Sequence, residues 1–129
     1  PFFQFVSFLG PQGEVVHARA VLDDGAMASI MDVALWRRVQ HRLSPLLPSS
    51  RRFRMANGLL VPSLGVWSGQ ITLGGVSHRG CFEVFDSHGS WSFLFGKPLL
   101  CSFAVLHDYG IDHDWIVVRD GDRSVHLHN

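Results

Sequence analysis

The sequence predicts an all-β protein whose sheet is closed or nearly closed, with one or two short helices. Three observations carry this. Short apolar segments recur along the chain, several with the period-two alternation of half-buried strands. Glycine-bearing turn signals separate them, at Gly10-Pro11-Gln12-Gly13, Asn57-Gly58, Gly74-Gly75 and Asp120-Gly121. One segment only, after Asp32, holds a helical period for more than two turns.

Taken in order, residues 4–9 alternate and read as a strand, and residues 14–22 form a second, with Val15, His17, Arg19 and Val21 on one face. The pair makes a hairpin that delivers the chain to Asp23-Asp24-Gly25-Ala26. Asp32 is placed to cap a helix in which Val33, Trp36, Val39 and Leu43 share a face and Arg37, Arg38 and Gln40 take the wet side. Pro45 and Pro48 are expected to end it. Residues 51–56 and 59–64 flank Asn57-Gly58, a strong hairpin signal. Residues 66–73 form a strand closed by Gly74-Gly75, and residues 81–85 another, with Phe82 and Val84 opposite in phase to Cys81, Glu83 and Phe85. Residues 91–95 form a short apolar strand closed by Gly96, and Pro98 suits the first turn of a brief helix over 99–103. Residues 115–118 and 124–127 flank Asp120-Gly121 as a last hairpin. An apolar strand runs into a glycine turn twice, at residues 22–25 and 94–96, a weak internal symmetry.

The 129 residues amount to one domain. A hydrophobic fraction of 47% against 17% charged excludes disorder and leaves apolar surface that favours self-association. Eleven basic and eleven acidic side chains balance, which argues against a nucleic-acid partner. No apolar run is long enough to span a membrane, and the apolar start lacks the basic flank of a signal peptide. Opening at Pro1 without a Met is expected of a piece cut from a longer polyprotein. Cys81 and Cys101 are read as reduced core thiols of a cytoplasmic protein.

The segment Ala20-Val21-Leu22-Asp23-Asp24-Gly25-Ala26 drives a carboxylate out of an apolar strand into a tight turn. Such a carboxylate is costly unless it is partnered or working. By itself the segment also fits an ordinary Asp-Gly turn. The histidines and aspartates near the C-terminus (His107, Asp108, Asp112, His113, Asp114, His126, His128) do not match a zinc spacing, and they read as a solvated loop and tail with His128 and Asn129 frayed. No metal and no cofactor are expected. Gly-x-Ser-x-Gly does not occur. Arg51, Arg52 and Arg54 read as a wet strand face rather than a binding patch.

Three landmarks together resemble the retropepsin-like aspartic proteases, particularly those of fungal gypsy-type retrotransposons. They are the loop at residues 21–26, the flap-like hairpin Met55-Ala56-Asn57-Gly58-Leu59, and Leu94-Phe95-Gly96-Lys97-Pro98-Leu99-Leu100. The resemblance runs from about residue 5 to about residue 118. It implies a closed acid-protease barrel of about seven to nine strands and a homodimer whose C-terminal hairpin, residues 115–127, joins the interface. Each subunit would supply one Asp23 at the twofold axis. Two carboxylates about 3 Å apart cannot both ionise, so they would share a proton and hold a water between them. Asp24, Gly25 and Ala26 would complete the loop, residues 55–59 would close over a peptide or polyprotein substrate, and Met27, Trp91 and Phe93 would wall the cleft. Lys97 stands where the family often has a basic residue, so a structural ion pair is expected. Asp24 departs from the family's Thr or Ser, whose hydroxyl both donates and accepts. Either one Asp24 is protonated in the dimer, or it turns away to an amide or arginine, or the domain is an inactive dimerisation or peptide-binding module.

Overall fold

The computed structural model describes residues 1–109 and 114–129. Strands β1 (Phe2–Leu9) and β2 (Val15–Leu22) form the predicted hairpin, in register from Phe2↔Leu22 to Leu9↔Val15. β1 starts two residues earlier than expected because Phe2, like Val6 and Phe8, is buried on its inner face. On the outer face the Arg19 guanidinium lies 3.8 Å from the Phe3 ring centroid, a cation–π contact. β3 (Ile30–Asp32) was not foreseen. All three of its residues are buried, so it has no alternation to read.

Helix α1 (Val33–Val39) starts at Asp32 as predicted and buries Val33, Leu35 and Trp36. It ends before the prolines, where a 3₁₀ turn over Gln40–Arg42 brings Leu43 into the core. β4 (Arg52–Arg54) and β5 (Leu60–Pro62) form a small separate sheet around Asn57-Gly58. β6 (Gly65–Leu73) and β7 (Val76–Phe85) pair along their length. β7 begins five residues before the predicted strand, since Gly74 and Gly75 (φ +60° and +78°) alone make the turn. β8 (Phe93–Phe95), α2 (Lys97–Ser102) and β9 (Leu106–Tyr109) follow. The last pair, β10 (Asp114–Asp120) and β11 (Arg123–His128), turns at Gly121-Asp122, one residue later than expected.

Six strands close into a barrel in the order β1-β2-β8-β3-β7-β6, with β6 returning to β1. The barrel thus has fewer strands than the seven to nine expected, because β4–β5 and β9–β11 form their own sheets. Phe8 centres the core, 5.8, 5.1 and 5.0 Å from the rings of Trp67, Phe82 and Phe93. Each such side chain contributes about 2–3 kcal/mol by leaving water. Among the described residues no helix is long and apolar enough to cross a membrane.

Several expectations are corrected here. Cys81 and Cys101 are free but exposed, on the outer faces of β7 and α2, not in the core. Asn129 is not frayed: its side chain accepts from the Phe3 amide (2.9 Å) and donates to Pro1 O (3.0 Å) and Asp114 (2.9 Å). His126 and His128 pack on the Trp115 ring at 5.2 and 5.1 Å. The His107 bond, then that from Asn129, holds the Asp114 carboxyl below the usual carboxylate value. Among the described residues no group of three or more His, Cys, Asp or Glu side chains is placed to hold a metal ion; Asp112 and His113 lie outside those residues.

Asp32 ties α1 to the segment before β8. Its Oδ1 accepts from the Ser87 amide (2.8 Å) and hydroxyl (2.7 Å), and its Oδ2 from the Ala34 amide (3.0 Å). Burial alone would raise this carboxyl, but the bonds from Ser87, Ala34 and Val33 outweigh it and hold it below its ordinary 3.8. A carboxyl lowered by folding adds stability that is present above its unfolded value and lost as pH falls through the folded one. Asp32→Ala is expected to cost about 3 kcal/mol, from a lost cap and an orphaned buried Ser87. Urea melts at neutral pH and near pH 3 check this: the variant should lose less stability on acidification than the wild type.

Candidate active site

β2 carries the chain from the barrel interior to its rim. Ala20 is fully buried, Leu22 half-buried, and Asp23 exposed. There the two glycine-turn segments meet. β2 runs parallel to β8, pairing Ala20↔Phe93, Val21↔Leu94 and Leu22↔Phe95, so the weak internal symmetry corresponds to two adjacent loops. The Asp23 amide donates to Phe95 O (3.0 Å), the Lys97 amide to Ala26 O (2.8 Å) and the Gly96 amide to the Ser29 hydroxyl (2.9 Å). Gly96 permits this approach, since a Cβ there would lie 2.3 Å from Ala28 O.

Within the loop the Gly25 amide donates to Asp23 Oδ1 at 2.8 Å, and the Ala26 amide to Asp23 O at 3.3 Å. Oδ1 is thereby oriented, and among the described residues Oδ2 has no protein partner. Asp24 is exposed, and among the described residues its side chain makes no hydrogen bond to an amide or arginine.

The loop separates two hollows. Asp23 and Asp24 line a groove of about 670 Å³ with Leu22, Lys97, Leu106 and Ile116. Ala26 and Met27 line another of about 560 Å³ with Arg51, Phe53, Phe85, Trp91 and Leu94. Over the second lies the β4–β5 hairpin. Phe53 stacks on Phe85 at 4.7 Å, Met55 packs on the same cluster, and Phe85 meets Trp91 at 5.8 Å. Its tip is exposed at Ala56, Asn57, Gly58 and Leu59, shaped by Leu59 N–H to Asn57 Oδ1 (3.0 Å) and by Gly58 at φ +86°.

Of the three residues expected to wall the cleft, Met27 and Trp91 line the second hollow and Phe93 does not. It is fully buried in the barrel, because β8 alternates and turns Leu94 to the hollow instead. Lys97 forms no ion pair among the described residues, and its role in the loop is carried by its amide. Ser29, Ile30 and Phe53 were not singled out from the sequence, and Phe85 and Leu94 were named there as strand residues, not as lining of the second hollow. Ser29 acts through a bond to a residue 67 positions away, which leaves no local signal.

No family model matches the sequence. Among solved structures the chain is similar to the crystal structure of the retroviral protease-like domain of Ddi1 from Leishmania major, with 18% identity and a TM-score of 0.61 over 98% of this chain and 95% of that one. The likeness is one of fold: a mostly β, retropepsin-like architecture with a closed six-stranded barrel and two short helices.

Proposed function

We propose that this retropepsin-like chain is one half of an aspartic endopeptidase, completed by a second copy of itself and acting in polyprotein processing. The observation that carries the reading is Asp23, exposed at the end of a half-buried strand on a loop bonded to the 95–97 segment, with Gly25 N–H orienting one oxygen and the other without a partner among the described residues. The second copy would pack at the groove of Asp23 and Asp24, whose apolar lining (half-buried Leu22 and exposed Leu106) gives it surface to cover. Two Asp23 carboxylates then share one proton. The ionised one takes a proton from a water held between them, and that water attacks the scissile carbonyl. The protonated one donates to the carbonyl oxygen, giving a tetrahedral diol; the first Asp23 then passes its proton to the nitrogen while the second takes one from a diol hydroxyl, and the C–N bond breaks to release the amine and the acid. Residues 55–59 would close over the extended peptide and bond its main chain. The test is incubation with a peptide library at acid pH, with and without a statin-type inhibitor. Inhibitor-sensitive cleavage is the expected result, and no cleavage under any condition where the protein is dimeric rejects the reading.

Asp24 favours a second reading, a dimerisation or peptide-binding module without activity. Paired Asp24 side chains would add negative charge beside the Asp23 pair unless a proton lies between them. The dimer is therefore expected to weaken toward neutral pH, and Asp24→Thr to remove most of that dependence. Sedimentation from about pH 4 to pH 8 checks this, with the window set by the carboxylate range. Equal pH dependence in both proteins would exclude a shared proton at Asp24.

A further inference from the structure

We infer that the hollow beneath the β4–β5 hairpin selects peptides that place an acidic side chain beside an apolar one. This rests on the reading of that hollow as the substrate cleft and adds its chemical preference. Its floor is apolar, formed by Phe85, Trp91 and Leu94, while Arg51, Arg52 and Arg54 also line it and, among the described residues, no carboxylate does. The chain as a whole is neutral, with eleven basic and eleven acidic side chains, so the local excess of three positive charges is a property of this cleft.

The arginines are not spent internally. Among the described residues none is ion-paired with a carboxylate. Glu83, the buried carboxylate of β7, accepts from the Ser49 hydroxyl instead. Arg54 gives one bond, to Gly58 O at 3.1 Å, out of five donors. Arg51 is the best placed. The ladder reaches it through Ser63 N–H to Arg51 O (2.9 Å), and strand alternation puts it in phase with Phe53 and Met55, which pack onto the floor. Arg52 and Arg54 have the opposite phase and form the rim. A guanidinium beside a partly desolvated apolar floor suits a carboxylate, which it can hold through two parallel bonds. β4 and β5 each keep a free edge, which an extended peptide can join through its main chain.

The test uses full-length Asp23→Asn, so that cleavage cannot consume the probe, and three fluorescein-labelled octapeptides identical except for Glu, Gln or Lys next to a central Leu-Phe. Fluorescence anisotropy is expected to give about tenfold tighter binding for the Glu peptide than for Gln, and weaker still for Lys, with the preference falling as salt rises. Adding Arg51→Gln should remove most of the Glu preference, bringing the Glu and Gln peptides to similar affinity. Arg38→Gln, on α1, should change neither. Equal affinity for the Glu and Gln peptides, or no binding of any of the three, overturns the inference. The two readings separate cleanly. Wild-type cleavage without charge preference removes only the acidic selectivity, whereas charge-selective binding without wild-type cleavage removes only the peptidase.

Discussion

Asp23→Asn is expected to lower kcat/KM on any cleaved peptide by about 10⁴-fold, the loss typical of a removed general base. Asn matches Asp in shape and keeps an oxygen that can accept from the Gly25 amide, the one bond that orients the side chain. Stability and dimerisation should therefore change little, and KM should stay close to the wild-type value while kcat falls. In the proposed dimer the pair acts as a unit, so one Asn in a mixed dimer should be as damaging as two. Adding excess Asp23→Asn to a fixed amount of wild type should then suppress activity as subunits exchange. Activity that persists undiminished with an equilibrated tenfold excess of the variant would mean that each chain works alone.

Gly96→Ala is expected to damage both fold and activity. The added Cβ would sit 2.3 Å from Ala28 O, 2.7 Å from the Ala28 carbonyl carbon and 3.0 Å from Ala26 O, all backbone atoms with no rotamer to escape into. The loop has to move, and the bonds from Gly96 to Ser29 and from Lys97 to Ala26 go with it. Overpacking of this kind, with the strained bonds, costs about 3 kcal/mol, or roughly 10 °C in Tm. A displacement of about 1 Å at Asp23 would lower the rate about 10²-fold in the fraction still folded. Gly25→Ala is the informative comparison. Its Cβ meets only Asp23 Oδ1, at 3.2 Å, so Tm should hold while activity falls. Equal melting of the Gly96 variant and the wild type would show that the two loops do not lean on each other.

What the sequence made legible follows the range of the interactions. The hairpins of β1–β2, β4–β5 and β10–β11 were readable because glycine turns and alternation are local. β3 and β9 were not, since three or four residues hold too little periodicity to register. The far half of β7, residues 81–85, was read as a strand, but its first half was not, because Gly74 and Gly75 alone make the turn and the strand resumes at once. The Asp23 loop stood out because an apolar strand ended in acid. Of the residues that hold it, Phe95, Gly96 and Lys97 were read as a landmark segment, whereas Ser29 was not, because its bond to Gly96 spans 67 positions. Phe93 and Leu94 differ in role only by the phase of a three-residue strand. Cys81 could have been placed correctly, since it was already out of phase with Phe82, which faces the core.

The most direct measurement is the stoichiometry of a tight statin-type inhibitor, titrated calorimetrically at a pH where sedimentation finds a dimer. A single site built from two chains predicts one inhibitor per two chains and no binding to any monomer. Saturation at one inhibitor per chain, or binding to a monomer, would contradict a site shared across the twofold axis.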